Sequence, residues 1–230
     1  MKQSGVRIRC ASTVAVAMFQ IPLLSSPALA EDLSLYVVGT AYDRDSKELL
    51  YTEYHYCSTD ALQCKVEYKD DSSKPITHKV LDYRGGLNSP ELFVKAYREE
   101  EEQRFSASDI EELVVDAGFD NFVRSRWQDL VGGLAVKFSF QPLGFDKPLL
   151  MRASERKADG KRPDETCGET DLCLTVQVDS WLLGLIAKPI ELVYSRETRR
   201  LLSFSGVSNI KGTRGESLYV DISYRYSSDG

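Results

Sequence analysis

Histidine is scarce: His55 and His78 are the only two in 230 residues. A Ser-His-Asp arrangement would need one of them as its base. Both fall in segments that read as strands, and no Gly-x-Ser-x-Gly elbow presents a serine to either. No Gly-x-x-x-x-Gly-Lys loop and no Rossmann glycine pattern occurs, so the common nucleotide cradles are excluded. Beyond residue 30 no apolar run reaches the ~20 residues that a spanning helix needs. Basic residues are outnumbered, 29 Lys and Arg against 35 Asp and Glu. That balance argues against a nucleic-acid partner and against a general attraction to anionic lipid heads. A Pro/Ser/Gly-rich linker is missing too, so residues 31–230 are expected to form a single β-rich domain.

The first thirty residues differ from all that follows. Lys2, Arg7 and Arg9 precede a mostly apolar stretch over 10–24, and Ala28-Leu29-Ala30 is a small-x-small cleavage site. This reads as a signal peptide over 1–30, cut after Ala30, and implies a periplasmic protein with no transmembrane segment left after cleavage. Cys10 opens the apolar stretch, well ahead of the cleavage site, so it is not the lipid-bearing first residue of a mature lipoprotein. The leader's three cations have no acidic counterpart, so its removal takes the net charge from −6 to −9.

Four cysteines follow the leader, in two local pairs: Cys57 with Cys64, and Cys167 with Cys173. Three connectivities exist for four cysteines. Local pairing is favoured because each bracketed segment is short and rich in turn residues. If Cys57 and Cys64 are cross-strand partners, His55 faces Val66 and Glu53 faces Tyr68. His55, Cys57, Cys64 and His78 could also supply four zinc ligands, but their spacings fit no common zinc pattern and the compartment is oxidising. No metal and no cofactor is expected.

Most of the chain alternates with a period of two. Strands are expected over 33–43, 49–58, 62–69, 76–83, 92–98, 136–141, 149–156, 172–178, 190–194, 200–205 and 218–226. The acidic run over 99–102 reads as a solvated loop or strand end, since it lacks the alternating Asp/Asn and the Gly of a calcium loop. A polar loop is expected over 157–171. One clear helix is expected over 118–130, where Phe119, Phe122, Val123, Trp127 and Leu130 form an apolar stripe. Asp116 or Asp120 would cap its start and Gly132-Gly133 would end it. The fold class is therefore mainly β with a minor α+β character. The expected architecture is a large curved antiparallel sheet or half-barrel of about ten strands, with one main helix packed on it.

His55, between Tyr54 and Tyr56, reads as a strand histidine with its partners satisfied rather than as a general base. Trp181, Leu182, Leu183, Leu185 and Ile186 stand in a segment, 181–187, that is apolar on every side. Such a segment is buried as core, covers an apolar cavity, or meets a partner. Its residues are the sequence's candidates for a ligand-binding cavity or lid; no catalytic residue is assigned.

Asp116 to Arg124 (Asp-Ala-Gly-Phe-Asp-Asn-Phe-Val-Arg), with Trp127, Leu130, Ile190-Glu191-Leu192-Val193-Tyr194 and Gly206-Val207-Ser208-Asn209-Ile210, carry a resemblance. The chain resembles uncharacterised secreted proteins of Gram-negative bacteria. More loosely it is similar to periplasmic proteins of the lipoprotein-carrier-like architecture, a curved half-barrel wrapped around a helix. That resemblance implies an apolar cavity and an apolar ligand such as a lipid or acyl chain, without catalysis. The alternatives are a secreted carboxylate-dependent hydrolase, and an envelope structural or interaction module with a protein partner.

Overall fold

The computed structural model describes residues 32–96, the backbone of 102–105, and residues 113–142, 147–156, 167–180 and 188–227. Within them, alternating side chains and frequent turns give two successive meanders. The first is β1 (Ser34–Asp43), β2 (Leu49–Cys57), β3 (Gln63–Asp70), β4 (Pro75–Asp82), β5 (Glu91–Ala96) and β6 (Glu102–Phe105). The second is β7 (Leu113–Val115), β8 (Val136–Gln141), β9 (Leu149–Glu155), β10 (Asp171–Val178), β11 (Ile190–Ser195), β12 (Leu201–Lys211) and β13 (Ser217–Tyr226). They join into one open curved sheet in the order β6-β5-β4-β3-β2-β1-β13-β12-β11-β10-β9-β8-β7. The first and last strands meet at its middle, Val37 opposite Tyr226 and Ala41 opposite Ile222.

The mainly β fold with a helix packed on a curved sheet is as the alternation implies. Among the described residues the strand count is larger, thirteen against ten or eleven. The additions are β6, which takes in Glu102 from the acidic run, and β7. Three residues are too few to show a period, and Leu113, Val114 and Val115 are all buried. β7 also pairs with β8 in parallel, the only parallel pair among the described strands. Parallel neighbours need a crossover rather than a turn, and the helices lie between these two strands in sequence.

The expected single helix is broken into α1 (Gly118–Ser125) and α2 (Trp127–Val131). At the break Ser125 Oγ donates to the Phe122 carbonyl at 2.7 Å, and that carbonyl also accepts from Arg126 N at 3.0 Å. A serine that competes for a helix carbonyl weakens the ladder at that point. The cap expectation is also corrected. Ala117 is the N-cap, with no side-chain bond; Asp116 and Asp120 are occupied elsewhere. Gly132 does end α2, followed by Gly133 at φ 79°.

Two apolar clusters fill the inner face. One gathers Tyr51, Val66, Tyr68, Leu81, Leu92 and Ile222; the other packs Phe122, Val123, Trp127 and Leu130 of the helices on Phe138, Met151, Leu174 and Tyr194. Phe122 meets Phe138 with ring centroids 4.7 Å apart, and Phe119 meets Phe138 at 5.4 Å. β7 belongs to both clusters: Leu113 and Val115 point into the first, Val114 into the second. It is tied to the first meander by Val115 N donating to Asn88 O at 2.9 Å. The edge of one meander is thus held against the β4–β5 loop of the other, and the sheet curls.

Gly118 permits that closure. A Cβ there would sit 2.0 Å from Asn88 O and 2.5 Å from its carbonyl carbon, both backbone atoms that cannot swing aside. Gly118→Ala is therefore expected to cost about 1–3 kcal/mol by overpacking, and Phe122→Ala ~3–5 kcal/mol by cavity formation. Urea unfolding monitored by tryptophan fluorescence measures both; an unchanged midpoint for either would remove the docking described here.

Candidate functional site

The cross-strand register aligns a set of polar side chains along the inner face. Cys57 opposes Cys64, with Cα atoms 4.1 Å apart, and the two are disulfide-bonded. His55 then faces Val66 and Glu53 faces Tyr68, as the cysteine spacing implies. The second expected bridge, Cys167–Cys173, is also formed. Bonding of Cys57 to Cys64 removes both thiolates from the zinc arrangement considered above.

From Glu53 the row continues through Gly39 on β1 to Tyr224 on β13. Gly39 is needed there because a Cβ would lie 2.6 Å from Glu53 Cγ and 2.8 Å from Tyr224 Cε1. The missing side chain lets the carboxylate and the phenol lie across β1 toward one another. His55 stands one row away, its ring edge-on to Tyr224 at 6.4 Å. Its Nε2 lies 3.3 Å from Glu53 Oε1. The strand histidine thus has the Glu53 carboxylate as its partner.

Burial raises the Glu53 carboxyl, but the imidazole, the Tyr224 hydroxyl and Lys79 together outweigh that effect and hold it below the usual glutamate range. Burial pushes the phenols of Tyr51, Tyr68 and Tyr224 upward, with Glu53 adding to it. They are fixed as hydroxyl donors. Tyr51 uses its hydroxyl on Ser208 Oγ at 2.8 Å.

The strongest polar contact links the sheet to the start of the helix. Lys79 Nζ reaches both oxygens of Asp116 at 2.9 and 3.0 Å, with side chains only 3% and 5% exposed. Asn209 Nδ2 donates to the same carboxylate at 2.7 Å, and the Tyr68 ring lies 5.4 Å from the ammonium. Asp116 sits at φ 45°, where the chain turns out of β7 into α1.

One turn further, Asp120 bonds Arg124 and faces Tyr194 of β11. Burial raises the Asp120 carboxyl against the opposing effect of Arg124. Tyr194 Oη is completely buried against the Asp120 carboxyl, and the two groups act on each other. His55 acts electrostatically on Asp120. Buried polar groups from β2, α1 and β11 therefore act on one another where the helix packs on the sheet. The arrangement offers hydroxyl donors, carboxylates and an imidazole. Val37 and Val66, which flank His55 across the sheet, bring it no nucleophile.

Trp181, Leu182, Leu183, Leu185 and Ile186 lie outside the described residues. Sequence reasoning placed Glu53 on its strand and read Asp116 as a helix cap, but gave neither these nor Lys79, Arg124 or Asn209 a place in a site. Lys79 was hidden because β4 is buried on both faces, which erases the alternation that marks an inward charge.

No family model matches the chain, and no curated protein sequence matches it. Two solved structures align with most of the chain at low similarity. One is an uncharacterized conserved protein from Thermus thermophilus, with TM-score 0.31 and 12% identity, covering 84% of this chain and 80% of that one. The other is a domain assigned to outer membrane lipoprotein sorting from Vibrio parahaemolyticus, with TM-score 0.24 and 8% identity, covering 84% of each chain. Likeness at this level carries no functional argument. No helix among the described residues is long and apolar enough to cross a membrane.

Removing one partner of a buried ion pair strands the other charge. Lys79→Met is therefore expected to destabilise the fold by about 3–5 kcal/mol, measured by chemical denaturation.

The acid side is set by carboxyls held low. The guanidinium of Arg84 keeps Asp82 at about 2, while Glu53 also lies below its ordinary value. A carboxyl with a lowered folded-state pKa stabilises fully above its unfolded pKa and loses that contribution as pH falls through the folded value. Stability should accordingly drop between about pH 5 and pH 2. Asp120, held high, works in the opposite direction. Urea titrations at pH 7 and pH 3 should show a smaller acid loss in Glu53→Gln than in the native chain; an equal loss would remove Glu53 from this account.

Proposed function

We propose that the chain is an exported, single-domain periplasmic protein that binds an amphiphilic ligand with an apolar body, such as an acyl chain, without catalysing a reaction. Export is supported by the basic, apolar and small-residue pattern of 1–30 and by both cysteine pairs being oxidised.

The observation that carries the ligand reading is the connection between β10 and β11. These strands pair antiparallel, and about two to five residues would close such a hairpin. The chain instead spends residues 179–189 there, and 181–187 at their centre are Trp-Leu-Leu-Gly-Leu-Ile-Ala. A connection longer than its hairpin requires is commonly functional, and so apolar a sequence suits contact with an apolar ligand. Trp181, Leu182, Leu183, Leu185 and Ile186 are the proposed apolar contacts. The buried polar groups of His55, Asp120 and Tyr194 suit the polar end of such a molecule.

A fluorescent fatty acid titrated into the leader-free chain tests this reading. Saturable binding is expected, and Leu183→Asp or Ile186→Asp should abolish it while circular dichroism stays native. A native chain that binds no apolar probe would end the carrier reading in favour of an envelope interaction module.

A further inference from the structure

Lys79 and Asp116 are placed as two reactants would be. Nζ stands 2.9 and 3.0 Å from the two carboxylate oxygens, so the Cγ that joins them lies within the ~3–3.5 Å from which positioned groups react. Both side chains are buried. Asn209 Nδ2 donates to Oδ1 at 2.7 Å, so this oxygen is fastened by a second donor. Asp116 sits at φ 45°, outside the usual range of a residue with a side chain. A backbone held in that way commonly aims a working group. The Tyr68 ring lies 5.4 Å from Nζ, and the buried phenols of Tyr68 and Tyr83 both feel the Asp116 charge.

Two opposite charges in such a place need not stay charged. The hydration that favours ions in solution is missing, so one proton passed across the contact gives a neutral amine facing a carboxylic acid. A neutral lysine amine is a nucleophile. A turn about the Asp116 Cβ–Cγ bond, a soft torsion, presents the face of the carboxyl to it. Held there, the amine has an effective concentration of about 10⁵ M or more, which offsets the unfavourable balance of amide formation in water. Attack on Cγ puts negative charge on Oδ1, where Asn209 already donates. Asn209 is itself exposed, which gives released water a way out. Dry surroundings then protect the new bond from hydrolysis.

We propose that Lys79 and Asp116 condense into an amide, a covalent cross-link between β4 and the turn into α1. The nitrogen lone pair forms the Nζ–Cγ bond, and the Cγ–Oδ2 bond breaks with its electrons kept by oxygen. Two of the three ammonium protons leave on that oxygen as water, and the third stays on the amide. The positive and negative charges cancel, and no co-reactant is consumed. The product closes the segment 79–116 into a loop that reducing agents cannot open, unlike those of Cys57–Cys64 and Cys167–Cys173. Closing so long a segment restricts the unfolded chain more than either short disulfide loop does. The cross-link stands apart from the ligand reading, and neither depends on the other.

Mass spectrometry of the folded leader-free chain, denatured and reduced just before measurement, tests the proposal. The native chain should be lighter than its sequence by one water. Trypsin should leave Lys79 uncut and release one branched peptide in which 70–84 is joined to 105–124. Lys79→Arg keeps the charge but offers no amine, and Asp116→Ala removes the carbon attacked; both should have the full mass. Chain recovered from inclusion bodies in denaturant should also have the full mass, and lose water only on refolding. A native chain of full mass that trypsin cuts after Lys79 overturns the proposal, whether or not either variant folds. So does a loss of water already complete in denaturant. So does one that survives in Lys79→Arg, because another aspartate closing on the chain, such as Asp159 before Gly160, would then be its source.

Discussion

Lys79 and Asp116 come from opposite halves of the sheet: β4 in the first meander, and the turn that leaves β7 in the second. Their contact is nearly dry, so each charge depends on the other to offset the cost of leaving water. An apolar pair could hold the halves together by area alone, but it would tolerate sliding. A lysine that must reach both oxygens of one carboxylate does not. Asn209 of β12 and the Tyr68 ring then have their positions set by the same pair. The entry of α1, and with it Asp120, Arg124 and the Phe119–Phe122 edge, follows from where Asp116 is held.

Gly39 and Gly118 serve that arrangement in complementary ways. At Gly118 the missing Cβ lets the helix start against the backbone of Asn88. At Gly39 it opens a lane across β1, along which Glu53 and Tyr224 approach. Both glycines remove an obstacle between elements far apart in sequence. The result is a wall on which charged and aromatic groups are held in fixed relation, which is what a recognition surface requires.

Much of the strand framework was legible because period two survives wherever one face is wet, as in β1, β3 and β13. The cysteine spacing went further. It put Glu53, His55 and Cys57 on one face and gave their partners on β3. What it did not say was which face is inner, since Tyr and Thr suit either side of β2. β7 escaped for want of length and Lys79 for want of contrast in β4. The helix was visible from its stripe, but the acidic residues near its start were read as local caps when one of them is a long-range anchor. Local rules name the nearest partner, and Asp116 found its own on a distant strand.

The junction between β1 and β13 also governs how this chain assembles. Apart from the parallel β7–β8 pair, each half is built from antiparallel neighbours in sequence. The central seam joins segments separated by almost the whole described chain, Val37 with Tyr226. Loop closure on that scale is slow and comes late. Until it happens, two half-sheets each present a full-length unpaired edge at what becomes the middle of the molecule, with β1 offering Val37 and β13 offering Ile222 to any strand nearby. The interval before the seam closes is therefore when the chain is most exposed to pairing with a second copy of itself.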